Sequence, residues 1–189
     1  MHALKPQPRI GVDTFFEVYA DVKAELVNGV PRLMGGGNFR HASAQTNLIR
    51  HIGNALDGGP CRVLGPDMGL SINEDTIRYP DVAIYCDPRD LIGTALDRAL
   101  EWPKVLFEVL SPSTARTDRI EKMREYRSIE STRTVVLVDA ENRGLEVHER
   151  LNATEWRLRM LAPGEALTIV DPALTLTLEQ IFGPEQPAA

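Results

Sequence analysis

The chain has 189 residues, 43% of them hydrophobic and 25% charged, with a formal net charge of −6. That length gives one domain over residues 1–189 as the default, with enough chain for a real core and an ordinary soluble composition. No apolar run is long enough to span a membrane, the N-terminus has no signal-peptide pattern, and the acidic balance argues against a strong, general nucleic-acid binder without excluding a local basic groove. Cys61 and Cys86 match no metal-ligand spacing, so reduced thiols and a cytoplasmic location are expected.

In chain order, Asp13 or Thr14 caps a first helix, Thr14 and Glu17 having the spacing of a capping box. Phe15, Val18, Tyr19 and Val22 form one apolar stripe on it. Asn28-Gly29 between apolar arms predicts a two-residue hairpin turn, with Val27 opposite Val30 and Glu25 opposite Arg32. Pro31 makes the second arm an edge strand. Gly35-Gly-Gly37 is a break that lacks the context of a phosphate-binding loop. A second helix runs from Asn38 to about Leu56, with Ala44, Leu48, Ile52, Ala55 and Leu56 inward. Residues 30–56 hold Arg32, Arg40, Arg50, His41 and His51 and no acid. They form either an anion-facing surface or a solvated basic face.

After Asp57-Gly-Gly-Pro60, residues 61–64, 68–72 and 77–85 read as short strands. Residues 87–103 form a longer connection with one helical turn. The central strand is Lys104-Val-Leu-Phe-Glu-Val-Leu-Ser111, an apolar run covered on both faces with one carboxylate in its middle. Ser111-Pro-Ser-Thr114 is a polar turn, and Thr117 caps a helix running to about Ser128 with Ile120, Met123 and Tyr126 towards the sheet. Strands follow at residues 134–139, 145–150 and 156–161. Leu178, Ile181 and Phe182 suggest a closing helical turn, and residues 183–189 a frayed tail.

A lone carboxylate inside an apolar strand must be neutral, paired or bound to a cation. Asp81 stands near the start of an earlier strand, and if the two strands are neighbours both carboxylates converge at one end of the sheet. Two oxygen donors with open positions suit Mg²⁺ or Mn²⁺. Lys122, on the following helix, leans over the same place, where it orients water or neutralises a phosphoryl oxygen. Each residue also has a plainer account. Glu108 and Lys122 could form a structural ion pair, Asp81 could end a turn, and Lys122 could be the i+4 partner of Asp118. Glu25 could be a cross-strand partner of Arg32. His41 is a candidate for contact with phosphate or, as the lesser alternative, metal, or else a satisfied structural group, and Tyr126 reads as core. Ser111 and Ser113 lack a nucleophile elbow.

Tyr79-Pro-Asp-Val82, Val105-Leu-Phe-Glu-Val-Leu-Ser-Pro-Ser-Thr114 and Asp118-x₃-Lys122-x₃-Tyr126 together resemble the Uma family of endonucleases in the PD-(D/E)XK superfamily. Glu25-Leu-Val-Asn-Gly29 and Phe39-Arg-His41 resemble it too, and the similarity spans about residues 13–182. The resemblance implies a divalent-metal nuclease, with Asp81 and Glu108 as metal ligands, the carbonyl of Val109 as a third and Glu25 as an accessory acid. One position departs: the superfamily pattern has lysine two residues after the acid, where this chain has Leu110. Lys122 is then a migrated lysine reaching the site from the next helix.

The expected architecture is α/β: a restriction-endonuclease-like mixed sheet flanked by helices, with extra antiparallel strands. The expected activity is Mg²⁺- or Mn²⁺-dependent hydrolysis of DNA at Asp81, Glu108, Lys122 and Glu25, with Arg40, His41 and Gln45 meeting the substrate. A twofold homodimer suits a cut on both strands. The rivals are a non-catalytic module that keeps the fold, favoured by the acidic charge and Leu110, and a phosphoesterase acting on RNA or nucleotides.

Overall fold

A computed structural model describes residues 8–92, 97–111, 118–162 and 164–184. The expected mixed α/β architecture is present. Its elements are α1 (Val12–Val18), β1 (Ala24–Val27), β2 (Val30–Leu33), α2 (Phe39–Leu56), β3 (Arg62–Leu64), β4 (Gly69–Asn73), β5 (Thr76–Arg78), β6 (Val82–Tyr85), α3 (Pro88–Leu91), β7 (Ala99–Leu100) and β8 (Pro103–Val109). A π-helical turn, Asp118–Lys122, leads into α4 (Met123–Ser128). Then come β9 (Thr134–Asp139), β10 (Gly144–Arg150), β11 (Trp156–Met160), β12 (Leu167–Ile169), β13 (Leu174–Leu176) and α5 (Leu178–Phe182).

Among the described residues three sheets are formed. The larger has the order β11-β10-β9-β8-β6-β3 and the smaller β2-β1-β5-β4-β7, while β12 and β13 make a hairpin. In the larger sheet β8 pairs antiparallel with β6 and parallel with β9. Such a parallel step requires a crossover, which the helical segment ending in α4 supplies. The alternation of β8 explains why it reads as continuously apolar. Val105, Phe107 and Val109 join a core with Leu48 and Ile52 of α2, whereas Leu106 and Leu110 join a second core with Met123 and Tyr126. Both faces are covered, as buried strands require.

The hairpin formed by β1 and β2 turns at Asn28 and Gly29, both at positive φ, with the expected register and β2 at the sheet edge. Asn38 caps α2 by accepting from the His41 N–H at 2.9 Å, and Ala44, Leu48 and Ile52 are buried while Ala55 is exposed.

Several expectations are corrected. The first helix is capped by Gly11 without a side-chain bond, and of its stripe only Phe15 is buried, because a helix of two turns has little core to cover. Residues 77–85 are not one strand. Pro80 has no N–H for a ladder, and around it the chain leaves the smaller sheet after Arg78 and enters the larger at Val82. Ile120 is exposed at 61%, since the π-helical turn shifts its face away from the sheet. Cys61 and Cys86 form a disulfide rather than reduced thiols. The cause is the register pairing Arg62 with Tyr85, which makes the two cysteines cross-strand neighbours. The turn expected at residues 112–114 and the Thr117 cap lie outside the described residues, as does most of the expected tail. No helix among the described residues is long and apolar enough to cross a membrane.

Candidate active site

The register pairing Val82 with Phe107 carries Asp81, one residue before β6, alongside Glu108 of β8. Because β5 ends just before it, Asp81 also sits where the chain passes between sheets, close to Glu25 on β1. The π-helical turn and α4 close the other side. The result is a cavity of about 440 Å³ lined by Glu25, Asp81, Glu108, Val109, Lys122, His41 and Gln45, among others.

Asp81 has three neighbours on its carboxylate, two of them hydrogen-bond donors. Gln45 Nε2 donates to its Oδ1 at 2.9 Å and the Val109 N–H to its Oδ2 at 2.7 Å, with His41 Nε2 3.3 Å from the same oxygen. Glu108 is almost wholly buried and has a partner on each oxygen. Lys122 Nζ lies 3.0 Å from Oε2, and the Tyr126 hydroxyl donates to Oε1 at 2.5 Å. Burial, reinforced by the charges of Glu108 and Glu25, pushes the Tyr126 phenol well above its ordinary pKa, so it stays a donor. Lys122 Nζ is also 3.6 Å from Glu25 Oε1.

Glu25 does stand opposite Arg32 in the ladder, but its carboxylate turns inward to Arg78, whose Nη1 donates to Oε2 at 2.8 Å. Arg32 instead meets Glu121 at 3.1 Å. The Arg78 guanidinium, fully buried, also donates through Nε and Nη2 to Glu125 of α4 at 2.7 and 2.8 Å. Burial alone would lower its pKa, but the Glu125 hydrogen bond and the charges of Glu25 and Glu125 outweigh that and raise it. One fork thus ties β1 and β5 of the smaller sheet to α4, which directly follows Lys122.

Arg40 is not brought into this cavity. It pairs with Glu141 at 3.5 Å and lines a separate depression with Phe39, Arg143 and Phe182. The Asp118 side chain lies outside the described residues. Sequence reasoning missed Arg78 and Glu125 and set Tyr126 aside as core. An arginine in an apolar strand just ahead of Tyr79-Pro-Asp81 was the available signal, since a buried guanidinium must have carboxylate partners.

Leu110 explains the departure from the superfamily pattern. It follows Glu108 by two residues on the same strand face and is buried in the second core. A lysine there would be buried among apolar groups, whereas Lys122 approaches Glu108 from the facing helix.

Two carboxylates, Asp81 at the entry to β6 and Glu108 on β8, are oxygen donors of the type a hard divalent cation takes, and Val109 lines the same cavity. Among the described residues no group of three or more His, Cys, Asp or Glu side chains is placed so that it could hold a metal ion.

The fold matches a crystal structure described as "a putative nuclease belonging to DUF820" from Anabaena variabilis, with a TM-score of 0.75, 16% identity, and coverage of 92% of this chain and 97% of that one. In sequence, the uncharacterized Synechocystis protein slr1290 is 27% identical over 180 residues, 94% of this chain and 93% of the relative. A second uncharacterized Synechocystis protein, sll1609, is 26% identical over 146 residues, 77% of this chain and 82% of the relative. Residues 12–180 match the model of the Uma2 family, described as "Putative restriction endonuclease", and the chain belongs to that family.

Proposed function

We propose that the chain is a Mg²⁺- or Mn²⁺-dependent nuclease that hydrolyses phosphodiester bonds in DNA. The observation that carries this is the meeting of Asp81, Glu108 and Lys122 in one cavity, each held by defined partners. When bound, the cation supplies Lewis-acid polarisation of the phosphate and a lowered pKa for water. The chain's own residues do the rest. Gln45 and the Val109 N–H fix the Asp81 carboxylate, and Tyr126 fixes that of Glu108. The Lys122 ammonium, steadied between Glu108 and Glu25, orients water or offsets charge growing on a phosphoryl oxygen. Lys23, Arg32, Arg78 and Lys122 line the cavity with three acids, although Arg32 and Arg78 are also paired with Glu121 and Glu125 beyond its lining. A twofold dimer would bring two such sites to opposite strands.

The test is cleavage of labelled DNA with Mn²⁺ or Mg²⁺. Asp81→Ala and Glu108→Ala should each abolish cleavage while the protein stays folded. Unchanged metal-dependent cleavage in both variants would overturn the reading.

One observation favours a second reading, a non-catalytic module. Both Glu108 oxygens already have protein partners, as a structural ion pair would. Failure to bind either ion, with DNA present or absent, would select it.

A further inference from the structure

The candidate active-site cavity adjoins another. Lys23, Met34, Pro66 and Tyr79 line it and also line a neighbouring cavity of about 620 Å³, so the two lie side by side and share a wall. The second has a different chemistry. Phe16, Tyr19 and Tyr79 give it three aromatic rings, each partly buried against the small core of Phe15, Ala24, Leu26 and Ile77. The Tyr19 ring stacks on that of Phe15, with centroids 5.6 Å apart and planes 21° apart, which limits its motion. Arg98 lies 5.9 Å from the centre of the Phe16 ring and donates to the Phe16 carbonyl.

Charge decides what such a place would take. Lys23 and Arg98 are offset by Asp21 and Asp67, so the cavity has no surplus of positive charge for a phosphate. Aromatic faces with polar groups of both signs around them suit a neutral, flat ring with hydrogen-bonding edges. The volume lies within the range of small-ligand pockets.

We propose that this cavity is a nucleobase subsite, taking the base of an unpaired nucleotide beside the phosphodiester held at Asp81 and Glu108. The inference rests on the nuclease reading above. A base within a duplex is stacked between its neighbours and cannot enter a side cavity without leaving the stack. The preferred substrate is therefore a strand with an unpaired nucleotide at the cut: a single strand, a flap or a gap. Stacking on aromatic side chains is tolerant of sequence, so little base preference accompanies it.

The test is fluorescence anisotropy with the full chain, at fixed ionic strength and with Ca²⁺ in place of Mg²⁺ or Mn²⁺, so that a divalent cation is present without rapid cleavage. The probes are a labelled oligothymidylate and a strand of equal length built from abasic nucleotides. The wild type should bind the oligothymidylate about tenfold more tightly than the abasic strand, the scale of one good stacking contact. Tyr19→Phe should keep that ratio. Tyr19→Leu and Phe16→Leu, in preparations that melt with the wild type, should bring it towards one. Equal binding of both strands by the wild type would overturn the subsite, as would an undiminished ratio in the folded leucine variants. If metal-dependent DNA cleavage persisted alongside equal binding, the subsite alone would fall. Binding of neither strand would overturn the subsite and the nuclease reading together. A base-dependent ratio in a chain that cleaves nothing would support the subsite and count against the nuclease.

Discussion

Arg78 has no exposed surface and hydrogen-bonds two carboxylates from different parts of the chain, with Glu121 a third at 3.7 Å. Arg78→Met should cost about 3–5 kcal/mol in urea unfolding, since the buried Glu25 and the partly buried Glu125 would lose their shared guanidinium, with only Lys122 left near Glu25. Tyr126→Phe should cost about 1.5–3 kcal/mol, the scale of a hydrogen bond to a charged group, because one Glu108 oxygen loses its donor. Neither effect could be read from the sequence. Arg78 lies 53 residues from Glu25 and 47 from Glu125, and only the folded sheets bring the three together. Glu108 stood out as a candidate for a simpler reason: a carboxylate inside an apolar strand is a local contradiction, and Asp81 drew notice only beside it.

At the level of elements, the first hairpin was readable because Asn28-Gly29 demands positive φ at both positions, and both have it. Gly29→Ala should cost about 1–2 kcal/mol, the penalty of a left-handed L-residue. A Cβ there would also meet Arg9 Cβ at 3.0 Å. Strand β10 holds a pH dependence. Burial is the main cause that lowers the pKa of His148 below its ordinary 6.5, outweighing the hydrogen bond to Glu146. The folded state thus keeps the imidazole neutral while the unfolded chain takes up the proton first. Stability should fall as the pH drops below about 6.5, because the unfolded state then binds more protons. Chemical denaturation from pH 7 to 5 should show that fall, and His148→Gln should flatten it. Short elements were the illegible ones. Strands β12 and β13, three residues each, carry too little pattern to announce a hairpin, and a π-helical turn has no signature in a 3.6-residue period.

At the scale of the whole molecule, the site exists because two sheets meet. The larger sheet supplies Glu108 and the entry to β6 supplies Asp81, the smaller sheet supplies Glu25 and Arg78, and the crossover helix brings Lys122. The apolar strands and the Pro-Asp step indicated the mixed sheet, but not that residues 77–85 divide between two sheets. The disulfide was hidden for the same reason, since it depends on β3 pairing with β6. Its loop of 25 residues should contribute about 3 kcal/mol by restricting the unfolded chain, so reduction should lower stability by that amount.

The most direct measurement of the central claim is calorimetric titration of Mn²⁺, with and without a DNA strand, into wild type and Glu108→Gln. The substitution keeps the shape of the side chain and removes its charge. Saturable binding by the wild type that is lost in the variant, in parallel with loss of cleavage, is the predicted result. No binding by the wild type even with DNA, or equal binding and cleavage by the variant, would contradict a metal-dependent nuclease centred on Asp81 and Glu108.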